Sequence, residues 1–96
     1  MICIELSFTA DSARLDARPA HRRRLRDLYA QGVLVAAGPW DDDSGALLVF
    51  DIERAGVEAV IGADPYFATP GVKVDSVRTW QPIVGPGGGS DPDDTR

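Results

Sequence analysis

The residues of this sequence best suited to acid–base chemistry are its only histidine, His21, and the carboxylate of Asp64. At 100° per residue His21 shares a helical face with Leu25 and Leu28, so a titratable ring interrupts a stripe that should bury apolar groups. Asp64 likewise continues an apolar helical stripe within residues 57–61. A carboxylate that accepts from one imidazole nitrogen fixes the tautomer and leaves the other nitrogen for a substrate.

Three further residues are candidates for contacting a substrate beside this pair: Arg18, Trp40 and Tyr66. Arg18 projects on the same side as His21 if the first helical turn begins there, and it could then bind an anion. Trp40 and Tyr66 would edge the same cleft, with packing at its rim as the alternative. Taken singly, His21 and Asp64 also have plain structural interpretations, as a hydrogen-bonded core histidine and as the end of a helix.

Other groups of polar residues favour structure over chemistry. Three arginines (Arg22, Arg23 and Arg26) would face solvent on the opposite side of the first helix and pair with carboxylates such as Asp27. The acidic run 41–43 is most simply a turn, with a metal site as the weaker alternative. One cysteine, Cys3, and one histidine cannot form a zinc site of the usual kind within one chain. We therefore expect no metal and no cofactor.

The elements that must position these residues follow from the apolar pattern and the turn residues. Alternation of apolar and other residues predicts a first strand over residues 2–8, followed by a polar loop over 9–17. Pro19 is typical of a first helical turn and Gly32 of a helix end. Two strands over 33–38 and 46–52 form a hairpin, and a short helix around 57–61 stops before Pro65. A fourth strand covers residues 72–80.

The resulting order βαββαβ predicts an α+β, ferredoxin-like fold. Its antiparallel four-stranded sheet has the order 4-1-3-2, with both helices on one face. In this topology the first helix begins, and the second helix ends, at the same end of the sheet. His21 and Asp64 should therefore converge, and we expect them within about 2.6–3.2 Å or one water of each other.

The second and third strands are apolar on both sides, which predicts that the sheet face away from the helices is also covered. Leu48 and Phe50 alternate with Leu47 and Val49 in the third strand. A sheet with helices on one face is usually polar on the other. Because the chain offers no further element, we expect a homodimer formed through this face.

Composition limits the classes of partner. The 96 residues fit one domain, which we place at residues 1–84, followed by a flexible acidic tail over residues 85–96 that is rich in Gly, Pro and Asp. The net charge of -5 argues against nucleic acid as the main partner. The apolar runs are too short to span a membrane, and the first residues lack the features of a signal peptide. With its single cysteine, the chain is expected to be cytoplasmic.

Several short segments occur in an order that resembles one known family. They are Arg18-Pro-Ala-His21, Ala37-Gly-Pro39, a strand led by Gly45, Ala63-Asp-Pro-Tyr66, Gly71-Val72 and Arg78-Thr-Trp80. Over about residues 1–83 the chain resembles YciI-like (YCII-related) proteins of the dimeric α/β-barrel superfamily. The resemblance implies a ferredoxin-like subunit whose sheet packs on a second copy. It also implies an active site with a His–Asp pair, which falls here on His21 and Asp64.

Two classes of function follow. The first is a small cofactor-independent enzyme in which His21 transfers protons, Asp64 orients it and Arg18 binds an anion. Relatives similar to muconolactone isomerases, and cofactor-free lyases acting on small hydroxylated rings, imply isomerisation or elimination on a small aromatic or lactone-like molecule. The second is a non-catalytic homodimeric module that binds a metabolite or a protein partner. A pair that opens into a pocket favours the enzyme, and a sealed pair favours a structural role.

Overall fold

A computed structural model of the protein describes residues 1–85. Its strands are β1 (Ile2–Phe8), β2 (Leu34–Pro39), β3 (Gly45–Phe50) and β4 (Val72–Thr79). Its helices are α1 (Ala13–Ala30), α2 (Arg54–Ala63) and a short 3₁₀ helix, Pro65–Ala68. Apart from Gly85, the acidic tail predicted from the sequence lies outside the described residues.

The four strands form one antiparallel sheet in the order β2-β3-β1-β4. In β1, Ile4 pairs with Leu48 of β3 on one side and with Val77 of β4 on the other. The pairing register shifts at two places. One shift lies between Glu5 and Leu6 of β1, where β1 pairs with β4, and the other lies between Leu34 and Ala36 of β2, where β2 pairs with β3. This βαββαβ layout confirms the α+β, ferredoxin-like fold and the predicted strand order.

Alternation along β1 separates the two faces of the sheet. Ile2, Ile4 and Leu6 are buried, whereas Cys3 and Glu5 point the other way and are half-buried. The buried side chains join those of Phe50 and its neighbours in one core cluster.

Both helices pack on that core cluster. Val57 of α2 is fully buried in it, and Leu25 and Leu28 of α1 pack against it half-buried. The two helices therefore share one face of the sheet, as the topology predicts. Within residues 1–85 neither is long and apolar enough to cross a lipid bilayer. The cytoplasmic location expected from the sequence stays a prediction.

The start of α1 differs from the prediction by about a turn and a half. The helix begins at Ala13, inside the segment predicted as a loop, and Pro19 lies in its interior. An interior proline removes a backbone hydrogen bond and typically costs about 3 kcal/mol. Contacts earlier in the helix offset that cost. Asp11 accepts a hydrogen bond from the Ala13 amide at 2.9 Å, and Arg14 is buried with its guanidinium 4.4 Å from the ring centre of Phe8.

The remaining bounds differ from the predicted ones by three residues at most, except at one place. Asp64 was expected at the end of the second helix, with Pro65 stopping it. The structure adds a 3₁₀ helix, Pro65–Ala68, directly after α2. Pro65 stands at its first position, where a missing amide hydrogen costs nothing. A residue that stops one helix thus starts the next, and this turn brings Tyr66 and Phe67 into the core.

Two glycines are required by close backbone approaches at the end of the sheet where α1 begins. At Gly45, the first residue of β3, a Cβ would collide with the carbonyl oxygen of Leu6. At Gly71, just before β4, φ is +96° and a Cβ would press on the carbonyl oxygen of Asp11. These approaches place β1 against the start of β3, and the β1–α1 connection against the start of β4.

Candidate active site

His21 of α1 and Asp64 at the end of α2 meet inside the protein. Nδ1 of His21 lies 2.6 Å from Oδ2 of Asp64, a short hydrogen bond between residues 43 positions apart. Both residues are buried, with 6% and 5% of their surface exposed. The convergence expected from two interrupted apolar stripes is therefore present in the structure. Within residues 1–85, Nε2 of His21 has no hydrogen-bond partner.

Asp64 is held by its place between two helices. It ends α2 with an extended backbone and caps the 3₁₀ helix, where its Oδ1 accepts from the Tyr66 amide at 3.0 Å. The same oxygen accepts from Nη1 of Arg24 at 3.1 Å. One carboxylate thus receives three hydrogen bonds, from a ring, a guanidinium and a backbone amide. These donors fix its orientation toward His21.

Aromatic rings fix the plane of the imidazole. The Tyr66 ring stacks on that of His21 with centres 3.9 Å apart and planes 7° apart. Phe67 meets the imidazole edge-on, with ring centres 5.4 Å apart. The local 3₁₀ turn that caps on Asp64 supplies both aromatic rings. The segment 64–67 therefore provides both the carboxylate that hydrogen-bonds His21 and the two aromatic rings that pack against its imidazole.

Burial lowers the pKa of His21 below its usual value near 6.5, because desolvation disfavours imidazolium. The hydrogen bond and the charge of Asp64 oppose this effect, and the charges of Arg22 and Arg24 add to it. The start of α1 is too far away to add to this effect, because α1 begins at Ala13 and His21 lies more than two turns inside it. At neutral pH His21 is a neutral base.

Arg18 lines the same cavity as His21, but its guanidinium forms an ion pair with a carboxylate of the β2–β3 turn. Its Nη2 contacts the two carboxylate oxygens of Asp43 at 3.3 and 3.2 Å, and Arg14 contacts the same carboxylate at 3.1 Å. These hydrogen bonds hold the pKa of Asp43 below its usual range. Burial raises the pKa of the Tyr66 phenol, against a lowering by the charges of Arg18 and Arg14, so the phenol stays neutral.

A cavity of about 570 Å³ opens between α1 and the β2 edge of the sheet, and His21 lines it. Arg18 and Tyr66 line it as well, together with apolar side chains such as Leu25 and Leu34. Cavities of this size and apolar character are typical of small-molecule sites. The pair is thus adjacent to a pocket and is not sealed into the core.

Among the predicted site residues, Asp64 reaches this cavity only through His21, and Trp40 is not brought to it at all. Trp40 lies just after β2, is 45% exposed, and does not line the cavity. Its backbone amide donates to the carbonyl of Gly45, which closes the hairpin. Neither interpretation drawn from the sequence, contact with a substrate or packing at the rim of the cleft, named this place in the turn.

Sequence reasoning missed three residues around the site: Arg14, Arg24 and Asp43. Arg24 follows His21 by three positions, so helical spacing alone placed it near the same face. Arg14 was hidden by the assumption that residues 9–17 form a loop. Asp43 could not be told from its two acidic neighbours, and it adopts a positive φ of 56° in the turn.

Two carboxylates of the acidic turn accept hydrogen bonds from other groups of the protein. The Asp43 carboxylate is occupied by Arg14 and Arg18, and Asp42 accepts from the Ser44 amide at 3.0 Å. Across the described part of the chain, no group of three or more His, Cys, Asp or Glu side chains could hold a metal ion. The structure therefore gives no support to the metal alternative for this turn.

Comparison with known proteins places the chain in a family. The model of the YCII-related domain matches residues 1–81, which include every strand and helix described above. No curated protein matches the chain. The match covers well over half of the sequence and agrees with the resemblance drawn from its short segments. The chain belongs to the YCII-related domain family.

Proposed function

We propose that this protein is a cofactor-independent enzyme that moves a proton within a small, ring-sized molecule bound in the cavity between α1 and β2. The reaction is an isomerisation or an elimination. The observation that carries this proposal is a buried His21–Asp64 pair, joined by a short hydrogen bond through Nδ1, in which His21 lies on the wall of a largely apolar cavity.

In this reaction His21 is the general base. Its Nε2 takes a proton from a carbon or hydroxyl of the substrate, and the ring becomes imidazolium beside Asp64. In an isomerisation the same nitrogen returns the proton to another atom of the substrate. In an elimination it gives the proton to the leaving group. The Asp64 carboxylate accepts a hydrogen bond from the charged ring and stabilises it, while the stacked Tyr66 ring holds its plane.

The lowered pKa of His21 suits this role. A histidine whose pKa lies below its usual value is neutral at neutral pH, so it can accept a proton without first losing one. The neighbouring carboxylate offsets the cost of the charge at the moment of transfer. A general base of this kind typically contributes about 10²- to 10⁴-fold in rate.

The test is a panel of small phenols, hydroxylated aromatic rings and lactones, screened first by thermal shift. A compound present at 100 times its Kd stabilises the fold by about 2.7 kcal/mol, which raises the melting midpoint of a domain this size by about 10 °C or more. Each compound that binds is then incubated with the protein in D₂O. We expect at least one to exchange a carbon-bound proton or to be converted. Binding without exchange or conversion would instead indicate a non-catalytic module.

We further propose that two copies of the chain associate through the sheet face away from the helices. Leu47 and Val49 lie on that face of β3, opposite Glu5 and Cys3 of β1. A shallow groove of about 200 Å³ crosses it, lined by Val49 and by Trp80, which is 47% exposed. A stable dimer buries at least about 1,200 Å² in total, and this apolar face offers the surface for it.

Light scattering at micromolar concentration is expected to give twice the chain mass of 10.3 kDa. Leu47→Asp should yield the monomer, because it would bury an unpaired charge between the sheets. Ala59→Asp is the matched control, since it adds the same charge on the exposed side of α2 and should leave the dimer intact. A single 10.3 kDa species for the unmodified chain contradicts the proposal.

A further inference from the structure

The charge of the cavity wall is opposite to that of the chain. The sequence carries 15 acidic and 10 basic residues, yet no Asp or Glu lines the cavity. The charged side chains on its wall are Arg18, Arg22 and Arg26, all from α1. An apolar cavity with a positive mouth in an acidic protein selects for molecules that are apolar and negatively charged.

Two of these arginines are free to bind a ligand. Arg18 is paired with Asp43, and the neighbouring Arg24 is paired with Asp64. Arg22 and Arg26 take part in no hydrogen bond or ion pair within residues 1–85. The sequence predicted a solvated face with carboxylates such as Asp27 as partners, and no such pair forms in the described part of the chain. Both side chains are exposed and lie one turn apart.

Arg22 is also close to the proposed base, because it directly follows His21 in α1 and lines the same cavity. An anion held there lies near the imidazole and the aromatic wall. The apolar side chains beyond, such as Leu25 and Leu34, accept the uncharged part of the same molecule. A planar carboxylate matches the two-donor edge of a guanidinium, so it is the anion that fits this pair.

We propose that the cavity binds a carboxylate attached to a ring-sized apolar body, with the carboxylate paired to Arg22 and Arg26 and the body inside the cavity. This inference deepens the proposed function by naming the class of its substrate. Arg22 and Arg26 are then the residues that select for charge, while His21 does the chemistry.

The experiment compares 2-naphthoate with 2-naphthamide, which share the aromatic body and differ in charge, by titration calorimetry. We expect the unmodified protein to bind 2-naphthoate at least tenfold more tightly than 2-naphthamide. The double variant Arg22→Gln/Arg26→Gln should lose that preference and bind both alike. Arg23→Gln is the matched control, because Arg23 is an exposed arginine of the same helix that does not line the cavity. It should keep the full preference.

Three results would overturn the inference. They are equal binding of the two probes by the unmodified protein, absence of 2-naphthoate binding, and the same loss in Arg23→Gln as in the double variant. Acetate, a carboxylate without the apolar body, should bind at least tenfold more weakly than 2-naphthoate, and equal binding would also refute the proposal.

The failure of this inference is distinguishable from that of the proposed function. His21→Gln should retain the preference for 2-naphthoate, since the carboxylate pairs with the arginines. If the preference is present and no compound of the panel is converted, the anion site stands and the catalytic proposal falls. If conversion is observed but only for uncharged compounds, the catalytic proposal stands and the anion site falls.

Discussion

His21→Gln is expected to lower turnover by about 10²- to 10⁴-fold and to leave the fold intact. The amide of glutamine can still donate a hydrogen bond to Asp64, so the buried carboxylate keeps a partner at this position. It cannot take up a proton at neutral pH. The measurement is the rate of conversion or of proton exchange for the compound that the panel identifies, with circular dichroism and a melting curve as checks on the fold.

The pH profile of the unmodified protein gives an independent check. Because burial lowers the pKa of His21, the fall in rate on the acid side should come at a lower pH than for an ordinary histidine, whose pKa is near 6.5. His21→Gln should lack this acidic limb. If the pair is only structural, His21→Gln leaves any activity unchanged, and His21→Ala costs about 1–3 kcal/mol by leaving Asp64 without its ring partner.

Asp64→Ala is expected to destabilise the fold by about 3–6 kcal/mol, because two buried donors each lose a hydrogen bond to the carboxylate worth about 1.5–3 kcal/mol. Three donors lose their acceptor together: His21, Arg24 and the amide of Tyr66. Arg24 is half-exposed and can turn to solvent, so most of the loss comes from the two buried donors. The melting midpoint should fall by more than about 12 °C.

Two variants serve as controls for Asp64→Ala. Asp64→Asn keeps an oxygen for the Tyr66 amide and should cost less, about 1–3 kcal/mol, while it weakens control of the imidazole tautomer. Asp75→Ala removes an exposed carboxylate of β4 that bonds Ser7 and lies 3.9 Å from Lys73, and it should cost about 1 kcal/mol or less. Equal melting midpoints for Asp64→Ala and Asp75→Ala would show that the hydrogen bonds of Asp64 to His21 and to the Tyr66 amide contribute little to stability.

Much of the fold was predictable because its signals are local. The alternation in β1 and the turn residues around β2 and β3 identify strands without reference to the rest of the chain. The start of α1 was not predictable in this way. Pro19 is typical of a first helical turn, and the contacts that offset its cost inside the helix include one that joins residues far apart in the sequence. Arg14 reaches Asp43 across 29 positions, and no local pattern announces that pairing.

The His21–Asp64 contact was predictable because each residue interrupts an apolar stripe and the topology brings that part of α1 beside the end of α2. The supporting contacts were not, since they depend on side-chain reach and on a 3₁₀ turn that follows a proline. Arg18 illustrates the limit. Its side was correctly expected, and it does line the cavity, but its charge is paired with one particular aspartate of an acidic run.

The backbone contact at Gly45 has a consequence for any survey of variants scored by growth or activity. Substitutions there would be depleted as strongly as those at His21, since any Cβ meets the Leu6 carbonyl oxygen. Depletion alone would then mark a hairpin glycine as if it took part in the reaction. Scoring cellular abundance in parallel separates the two: Gly45 variants should vanish from both measures, whereas His21→Gln should remain abundant and inactive.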